Sequence, residues 1–152
     1  MNKIIEHTRA LENLRTGLKI VFTNGCFDIL HKGHFYVLEE SRNLGDILVV
    51  GLNSDDSVKG LKGRDRPINK WVTRAQALAQ LSCVDYIIKF TEPTPLALIK
   101  DLKPDIITKG GDYSMEQMIG REEVLGYGGQ VKIIPFLKGF STTSIIEQKH
   151  KE

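Results

Sequence analysis

The stretch KIVFTNGCFDILHKGHFYVLEESRNL, residues 19–44, decides the fold class. It opens with the β-branched run at residues 19–23, which is typical of a strand. After a short turn, residues 33–44 carry apolar side chains at helical spacing. A strand that leads directly into a helix is the first part of a strand–helix–strand unit, and such units build parallel sheets.

The rest of the chain repeats this alternation. Five strands are predicted, at residues 19–23, 46–52, 84–90, 105–109 and 130–135. Helices are predicted at residues 33–44, 54–61, 71–81, 96–102, 115–125 and 141–149. The strands are near-continuous apolar runs, as expected when helices cover both faces of a sheet. The sequence therefore predicts an α/β fold: a Rossmann-like, doubly wound, parallel five-stranded sheet in a three-layer single domain.

Length and composition set the limits on function. The 152 residues suit one domain, which we expect at residues 18–152, preceded by an N-terminal helical extension at residues 1–17. A net charge of +2 gives no general field for binding nucleic acid. The two cysteines form no C-x-x-C pair, and no apolar run reaches the roughly 20 residues of a membrane span. We expect a cytoplasmic protein with reduced thiols and neither a nucleic-acid nor a membrane partner.

The turn after the first predicted strand holds two of the four histidines. Ligands of doubly wound sheets bind beyond the carboxyl ends of the strands, where this turn lies. His31 and His34 project to one side of a helix start, beside backbone N–H groups without intrahelical partners. Gly33 lets a phosphate approach the backbone between them, and Asn24–Gly25 supplies a flexible turn. The pattern predicts an anion site.

Two other interpretations of this turn stay open. His31 and His34 are also explained as ordinary residues of a helix cap, with Gly25 merely turning the chain. A metal site built from Cys26, Asp28 and the two histidines is a second alternative, although the spacing matches no compact zinc motif. The sequence contains neither G-x-G-x-x-G after the first strand nor G-x-x-x-x-G-K-[ST], which disfavours a dehydrogenase or a P-loop enzyme.

The segment GCFDILHKGH, residues 25–34, resembles the signature of the cytidylyltransferase-like branch of the nucleotidyltransferase superfamily. The resemblance continues through VVGLNSD at 49–55, LKGRDRPIN at 61–69, KGGDY at 109–113 and GFSTTSI at 139–145. Within that branch, the combination of the last three segments is most similar to the D-glycero-β-D-manno-heptose 1-phosphate adenylyltransferases. The first fifteen or so residues fall outside the resemblance.

The resemblance implies that a sugar 1-phosphate attacks the α-phosphorus of ATP, with Mg²⁺ bound mainly through the ATP phosphates and no protein metal site. It implies catalytic roles for His31, His34 and Lys62. The residues it implies for nucleotide binding are Thr23, Asn24, Gly25, Phe27, Gly33, Asn53, Arg74, Gly110, Asp112, Ser141, Thr142 and Thr143. The residues it implies for binding the acceptor substrate are Asp28, Asp55, Lys59 and Arg64. Independently of the resemblance, exposed apolar helix faces would permit a homodimer.

Simpler explanations stand beside several of these roles. Lys62 and Arg64 are also explained as part of a solvated basic loop, Asp55 as a helix cap, Asp112 as part of a tight turn and Arg74 as half of a surface ion pair. Other functions also stay open. They are a glycerol-3-phosphate cytidylyltransferase or another small-molecule nucleotidyltransferase, and a non-catalytic nucleotide-binding module that pairs with a separate sugar kinase.

Overall fold

The computed structural model describes residues 2–14, 17–111 and 118–135. Within this part of the chain, a parallel sheet has the strand order β1-β4-β3-β2-β5-β6. The strands are β1 Ile4–Ile5, β2 Ile20–Gly25, β3 Ile47–Asn53, β4 Tyr86–Phe90, β5 Ile106–Gly110 and β6 Gln130–Ile134. The helices are a 3₁₀ helix at Thr8–Leu14 and α1 Lys32–Asn43, α2 Asp55–Lys62, α3 Trp71–Ala79, α4 Leu96–Leu102 and α5 Arg121–Gly126.

The two faces of the sheet bury separate apolar clusters. Val21 and Ile106 pack with Leu38 of α1 and Leu78 of α3 on one face. Their neighbours in the strands, such as Ile107, pack with α4 and α5 on the other face. Both clusters follow from the period-2 alternation of side chains along buried strands. The predicted three-layer, doubly wound α/β fold is confirmed.

The predicted number of five strands is wrong, because the described residues form six. The additional strand β1 holds only two residues, and these pair with Ile87 and Ile88 of β4 at the edge of the sheet. Two apolar residues are too few to produce a recognisable pattern, so their partner strand defines them. The boundary between an extension at residues 1–17 and a domain at 18–152 stays a prediction.

The predicted helix at residues 115–125 is also shorter than expected. Its described part begins at Arg121, because Gly120 precedes it in a left-handed conformation with φ of 89°. A Cβ at Gly120 would lie 2.7 Å from Cδ1 of Ile99, so this position has no room for a side chain. The helix predicted at 141–149 lies outside the described residues.

The strand order reverses between the neighbouring strands β2 and β5. The chain continues from β2 to β3 on one side of this point and from β5 to β6 on the other. Loops that leave these two strands depart in opposite directions and open a crevice at their carboxyl ends. The turn that holds His31 and His34 leaves β2 at this point, and Gly110 ends β5 beside it. The fold thus places the predicted anion site at its topological switch point.

Candidate functional site

Two histidine rings stack at the start of α1. His31 is the N-cap residue, and its Nδ1 accepts a hydrogen bond of 3.1 Å from the backbone N–H of Gly33. The ring of His34 lies with its centroid 3.8 Å from that of His31, at an interplanar angle of 23°. The capping interpretation is therefore correct for His31, but it occupies one ring nitrogen only. Since Nδ1 accepts, the neutral His31 ring carries its proton on Nε2.

His34 is held neutral. Burial lowers its pKa from 6.5 to about 4, and electrostatic interactions with His31, Lys109 and Lys62 act in the same direction. Its Nδ1 is buried and has no hydrogen-bond partner among the described residues. An unsatisfied buried nitrogen among cationic groups is costly in a resting protein and becomes favourable when an anion arrives. The geometry therefore supports the predicted anion site.

Gly25 and Phe27 shape the wall of this site. Phe27 adopts a positive φ of 46° and places its ring edge-on to His34, with 5.3 Å between the centroids. A Cβ on Gly25 would lie 2.9 Å from Cε2 of that ring. Gly25 ends β2 as an ordinary strand residue, so its role differs from the flexible turn predicted from the sequence. It makes room for the aromatic ring that packs against His34.

Asp28 connects the turn to the basic loop at residues 63–70. Its buried carboxylate accepts hydrogen bonds from Nε of Arg66 at 2.8 Å, the N–H of Ile68 at 2.7 Å and the N–H of Asn69 at 2.8 Å. Burial alone would raise its pKa, but these hydrogen bonds outweigh that effect and the pKa is lowered. Asp28 was predicted to bind the acceptor substrate, and the structure turns its carboxylate towards protein donors.

Arg74 is a second connection point and is 1% exposed. Nη1 donates to the carbonyl oxygens of Cys26 at 2.8 Å and Asn53 at 2.9 Å, and Nη2 donates to Asp55 at 2.7 Å. Nε donates to the carbonyl oxygen of Asn69 at 2.9 Å. The guanidinium thus uses all but one of its N–H groups on the protein. The alternative of a surface ion pair is wrong, and the predicted contact with a triphosphate stays a prediction.

These two connection points share Asn69, whose N–H and side chain both bond to Asp28 and whose carbonyl accepts from Arg74. We call Asp28, Asp55, Arg66, Asn69 and Arg74 the brace. It joins the loop after β2, the start of α2 and the loop before α3. The sequence analysis missed Asn69 and the bracing role of Arg66, since only the folded chain brings these segments together.

Asn53 is the last residue of β3 and Asp55 is the first residue of α2, so both lie at the carboxyl end of that strand. Each of them is bonded to another protein side chain. Asn53 is 3% exposed and donates to Oγ of Ser57 at 2.9 Å. Asp55 binds Arg74 and does not cap α2, because Ser54 is the N-cap and accepts from the N–H of Ser57. The capping alternative for Asp55 is therefore wrong.

Two lysines project from the last turn of α2. The predicted helix ended at residue 61, but Lys62 is the last residue of α2, and Gly63 with φ of 109° follows as its C-cap. Lys59, Lys62 and Arg64 are exposed. The charge of Lys62 acts on both His34 and Lys109, which places it towards the histidine pair.

The remaining predicted residues divide into two groups. Thr23 is buried and donates its hydroxyl to the carbonyl of Thr108 at 3.1 Å, so it ties β2 to β5. Asn24 and Gly110 lie at the carboxyl ends of those strands. The others lie outside the described residues, and these are Asp112, Ser141, Thr142 and Thr143.

Lys109 is the functional candidate that the sequence analysis missed. Its Nζ donates to the carbonyl oxygen of Asn24 at 3.1 Å, at the switch point. Burial lowers its pKa, and the charge of Lys62 adds to that shift. A lysine at the end of the otherwise apolar strand DIITK was the available signal.

Within residues 2–14, 17–111 and 118–135, no three His, Cys, Asp or Glu side chains group so as to hold a metal ion. Both carboxylates near the crevice, Asp28 and Asp55, bind arginines. These residues fit Mg²⁺ only as an ion carried by phosphate oxygens and water. In the same described segments, no helix has the length and apolarity to cross a membrane.

Comparisons with known proteins match most of this chain to one protein family. The family model described as cytidylyltransferase-like matches residues 22–148. The chain is 54% identical over 145 residues to the bifunctional protein HldE of Citrifermentans bemidjiense, which covers 95% of this chain and 30% of that protein. The bifunctional protein HldE of Helicobacter hepaticus is 57% identical over 85% of this chain and 26% of its own length. The chain thus spans under a third of these curated relatives.

Solved structures extend the comparison. The lipopolysaccharide core biosynthesis protein of Thermoplasma volcanium superposes with a TM-score of 0.65 at 34% identity, over 80% of this chain and 98% of the other. Pantothenate synthetase of Thermus thermophilus shares the fold at 17% identity, with a TM-score of 0.66 over 99% of this chain and 70% of the other. From the family match and the histidine turn it spans, the chain belongs to the cytidylyltransferase-like family.

Proposed function

We propose that this protein transfers AMP from ATP to D-glycero-β-D-manno-heptose 1-phosphate, giving ADP-heptose and pyrophosphate. The observation that carries the proposal is the stacked pair His31 and His34 at the start of α1, surrounded by positive charge. Identity of 52–57% to bifunctional HldE proteins and the similarity to a lipopolysaccharide core biosynthesis protein of Thermoplasma volcanium support the sugar class. The product would serve lipopolysaccharide or related surface-sugar synthesis.

The proposed reaction needs no protein nucleophile. A sugar phosphate has a second pKa of about 6, so near neutral pH it is mostly a dianion and attacks without a general base. Its oxygen forms a bond to the α-phosphorus of ATP while the bond from that phosphorus to the bridging oxygen breaks, and pyrophosphate leaves. The protein then has to align the two substrates and stabilise the charge that develops on the phosphates.

His31 and His34 supply that stabilisation. His31 offers its Nε2–H beside the positive end of the α1 dipole. A bound phosphate opposes the positive charges that lower the pKa of His34, so its pKa rises and the ring becomes a better donor. Donors of this kind act most strongly where water is excluded.

Cations complete the phosphate site. Lys62 is close enough to His34 for its charge to lower the pKa of that ring, so it can also contact a phosphate bound there. Lys59 and Arg64 are close to Lys62 in sequence and are candidates for binding the acceptor phosphate. Mg²⁺, when carried in by ATP, would neutralise part of the triphosphate charge. We propose that Asp112 and the hydroxyl residues Ser141, Thr142 and Thr143 also contact the nucleotide.

A pyrophosphate-release assay tests the proposal. ATP and CTP are each combined with heptose 1-phosphate and with glycerol 3-phosphate. Pyrophosphate released only from ATP with the heptose supports the proposed reaction. Release from CTP with glycerol 3-phosphate would replace it with a cytidylyltransferase. ATP binding without release in any combination would indicate a nucleotide-binding module.

We propose a cytoplasmic location, because the reaction consumes ATP. A homodimer stays a prediction, and sedimentation of the purified chain would test it. Since the curated relatives are more than three times as long, their second activity is not assigned to this chain.

A further inference from the structure

Lys109 lies beside the anion site but belongs to a different strand from the histidines. The parallel register pairs Phe22 with Ile107, so two residues further on Asn24 is level with Lys109. Nζ of Lys109 then crosses to the carbonyl oxygen of Asn24 at 3.1 Å. The ammonium therefore lies at the edge of the sheet between β2 and β5, where the crevice opens.

The side chain of Lys109 rises from the face of the sheet opposite to α1. Its neighbour Thr108 points towards α1, since its Oγ1 lies 2.8 Å from Oγ of Ser41 in that helix. Successive side chains of a strand alternate between faces, and Ile107 packs with the α4 and α5 cluster. Lys109 follows Ile107 on that face, while the histidine pair stands on the α1 side.

Among the described residues, the charged groups that act on this position and on His34 are mostly basic. The groups that act on His34 are His31, Lys109 and Lys62, all of them basic. Burial and Lys62 lower the pKa of Lys109, whereas the thiol of Cys26 acts in the opposite direction. An ammonium placed among cations on two elements suits an incoming anion.

We propose that Lys109 binds the phosphate chain of the nucleotide from the face opposite to α1, so that the chain lies between its ammonium and the histidine pair. This inference rests on the proposed function. It adds to the histidines and Lys62 a fixed cation on the floor of the crevice. Because Lys109 is anchored on a strand and tied to Asn24, it meets the phosphates without a loop movement.

The competing explanation is that Lys109 only ties β5 to β2 through Asn24. Lys109→Gln separates the two, because an amide can still donate to the Asn24 carbonyl but carries no charge. Lys109→Met removes both the charge and the donor, and Lys109→Arg keeps both. Lys132→Met is the matched control, since Lys132 is an exposed lysine of the adjacent strand β6. Calorimetry measures the Kd of ATP and of adenosine for each variant.

The proposal expects Lys109→Gln and Lys109→Met to raise the Kd of ATP about tenfold or more, with the Kd of adenosine changed less than about twofold. Lys109→Arg should restore part of the ATP affinity, and Lys132→Met should match the parent protein. Equal Kd values for ATP in Lys109→Gln and the parent would overturn the proposal and leave a structural tie. If the parent protein itself does not bind ATP, the proposed function fails instead. Thermal denaturation identifies any variant that does not fold. If Lys109→Met does not fold, the Kd of ATP for Lys109→Gln decides between phosphate binding and a structural tie.

Discussion

Two groups of polar side chains lie at the same edge of the sheet and use their hydrogen-bonding capacity in opposite ways. In the brace, Arg74 and Asp28 bind protein groups on nearly every side. In the histidine pair, Nδ1 of His34 is buried without a partner among the described residues, and the described groups that act electrostatically on this ring are basic. The comparison teaches that the first group joins distant segments of the scaffold, whereas the open Nδ1 of His34 makes the histidine pair the better candidate for contact with a ligand.

The largest effect is expected in the brace. Arg74→Met removes a buried guanidinium and leaves the Asp55 carboxylate and three carbonyl oxygens without it. We expect the free energy of unfolding to fall by about 3–5 kcal/mol. Urea denaturation measures this loss, and Arg121→Met on α5 is a control outside the brace. A loss below about 1 kcal/mol would show that the brace does not hold the fold.

The histidine pair should show the reverse pattern. His31→Ala and His34→Ala should each lower kcat by about a hundredfold, equivalent to about 3 kcal/mol, because each removes a donor to the phosphates. Steady-state pyrophosphate release measures this, and His7→Ala controls for the loss of an exposed histidine. The unfolding free energy should stay near that of the parent protein for His34→Ala and fall by about 1 kcal/mol for His31→Ala, which loses the N-cap hydrogen bond. Normal turnover in both variants would refute the proposed roles.

The pKa of His34 makes a third, smaller distinction. The folded protein protonates this ring near pH 4, whereas an unfolded chain does so near pH 6.5. Unfolding therefore takes up a proton between these values, and stability is complete above pH 6.5 and falls as the pH drops towards 4. With water screening the partly exposed ring, we expect a loss of about 2 kcal/mol. Urea denaturation measured at several pH values between 4 and 6.5 gives the free energy of unfolding as a function of pH. His34→Gln should lose this part of the pH dependence, and His7→Gln should keep it.

The smallest effect distinguishes two lysines of α2. Lys62→Met should lower kcat/KM for ATP about tenfold, because the charge of Lys62 reaches His34 and Lys109. Lys59→Met should cause a clearly smaller loss of kcat/KM, because Lys59 is not among the groups whose charges lower the pKa of His34 or Lys109. Initial rates at low ATP measure both variants, with Lys100→Met on α4 as the control. Equal losses at Lys59 and Lys62 would mean that the site extends along the helix.

The sequence by itself determined the α/β class, the parallel strands and the position of the histidine turn. These features depend on residues close together in the chain, where hydrophobic periodicity and a helix start are readable. The two-residue strand β1 was not predicted, because its extended conformation depends on pairing with β4, a strand about 80 residues further along the chain. The pattern of HKGH fixed which residues stand at the start of α1, and the structure added the stacking and the depressed pKa of His34.

Only the tertiary structure decided which polar residues remain available to a ligand. Asp28, Arg74 and Asp55 have the residue types of a binding site, yet each meets partners between about 20 and 50 residues away in sequence. Lys109 had no marked motif role, yet it lies 85 residues from its partner Asn24 at the mouth of the crevice. Hydrogen-bond capacity is consumed by contacts between distant segments, and residue type alone does not reveal whether any remains.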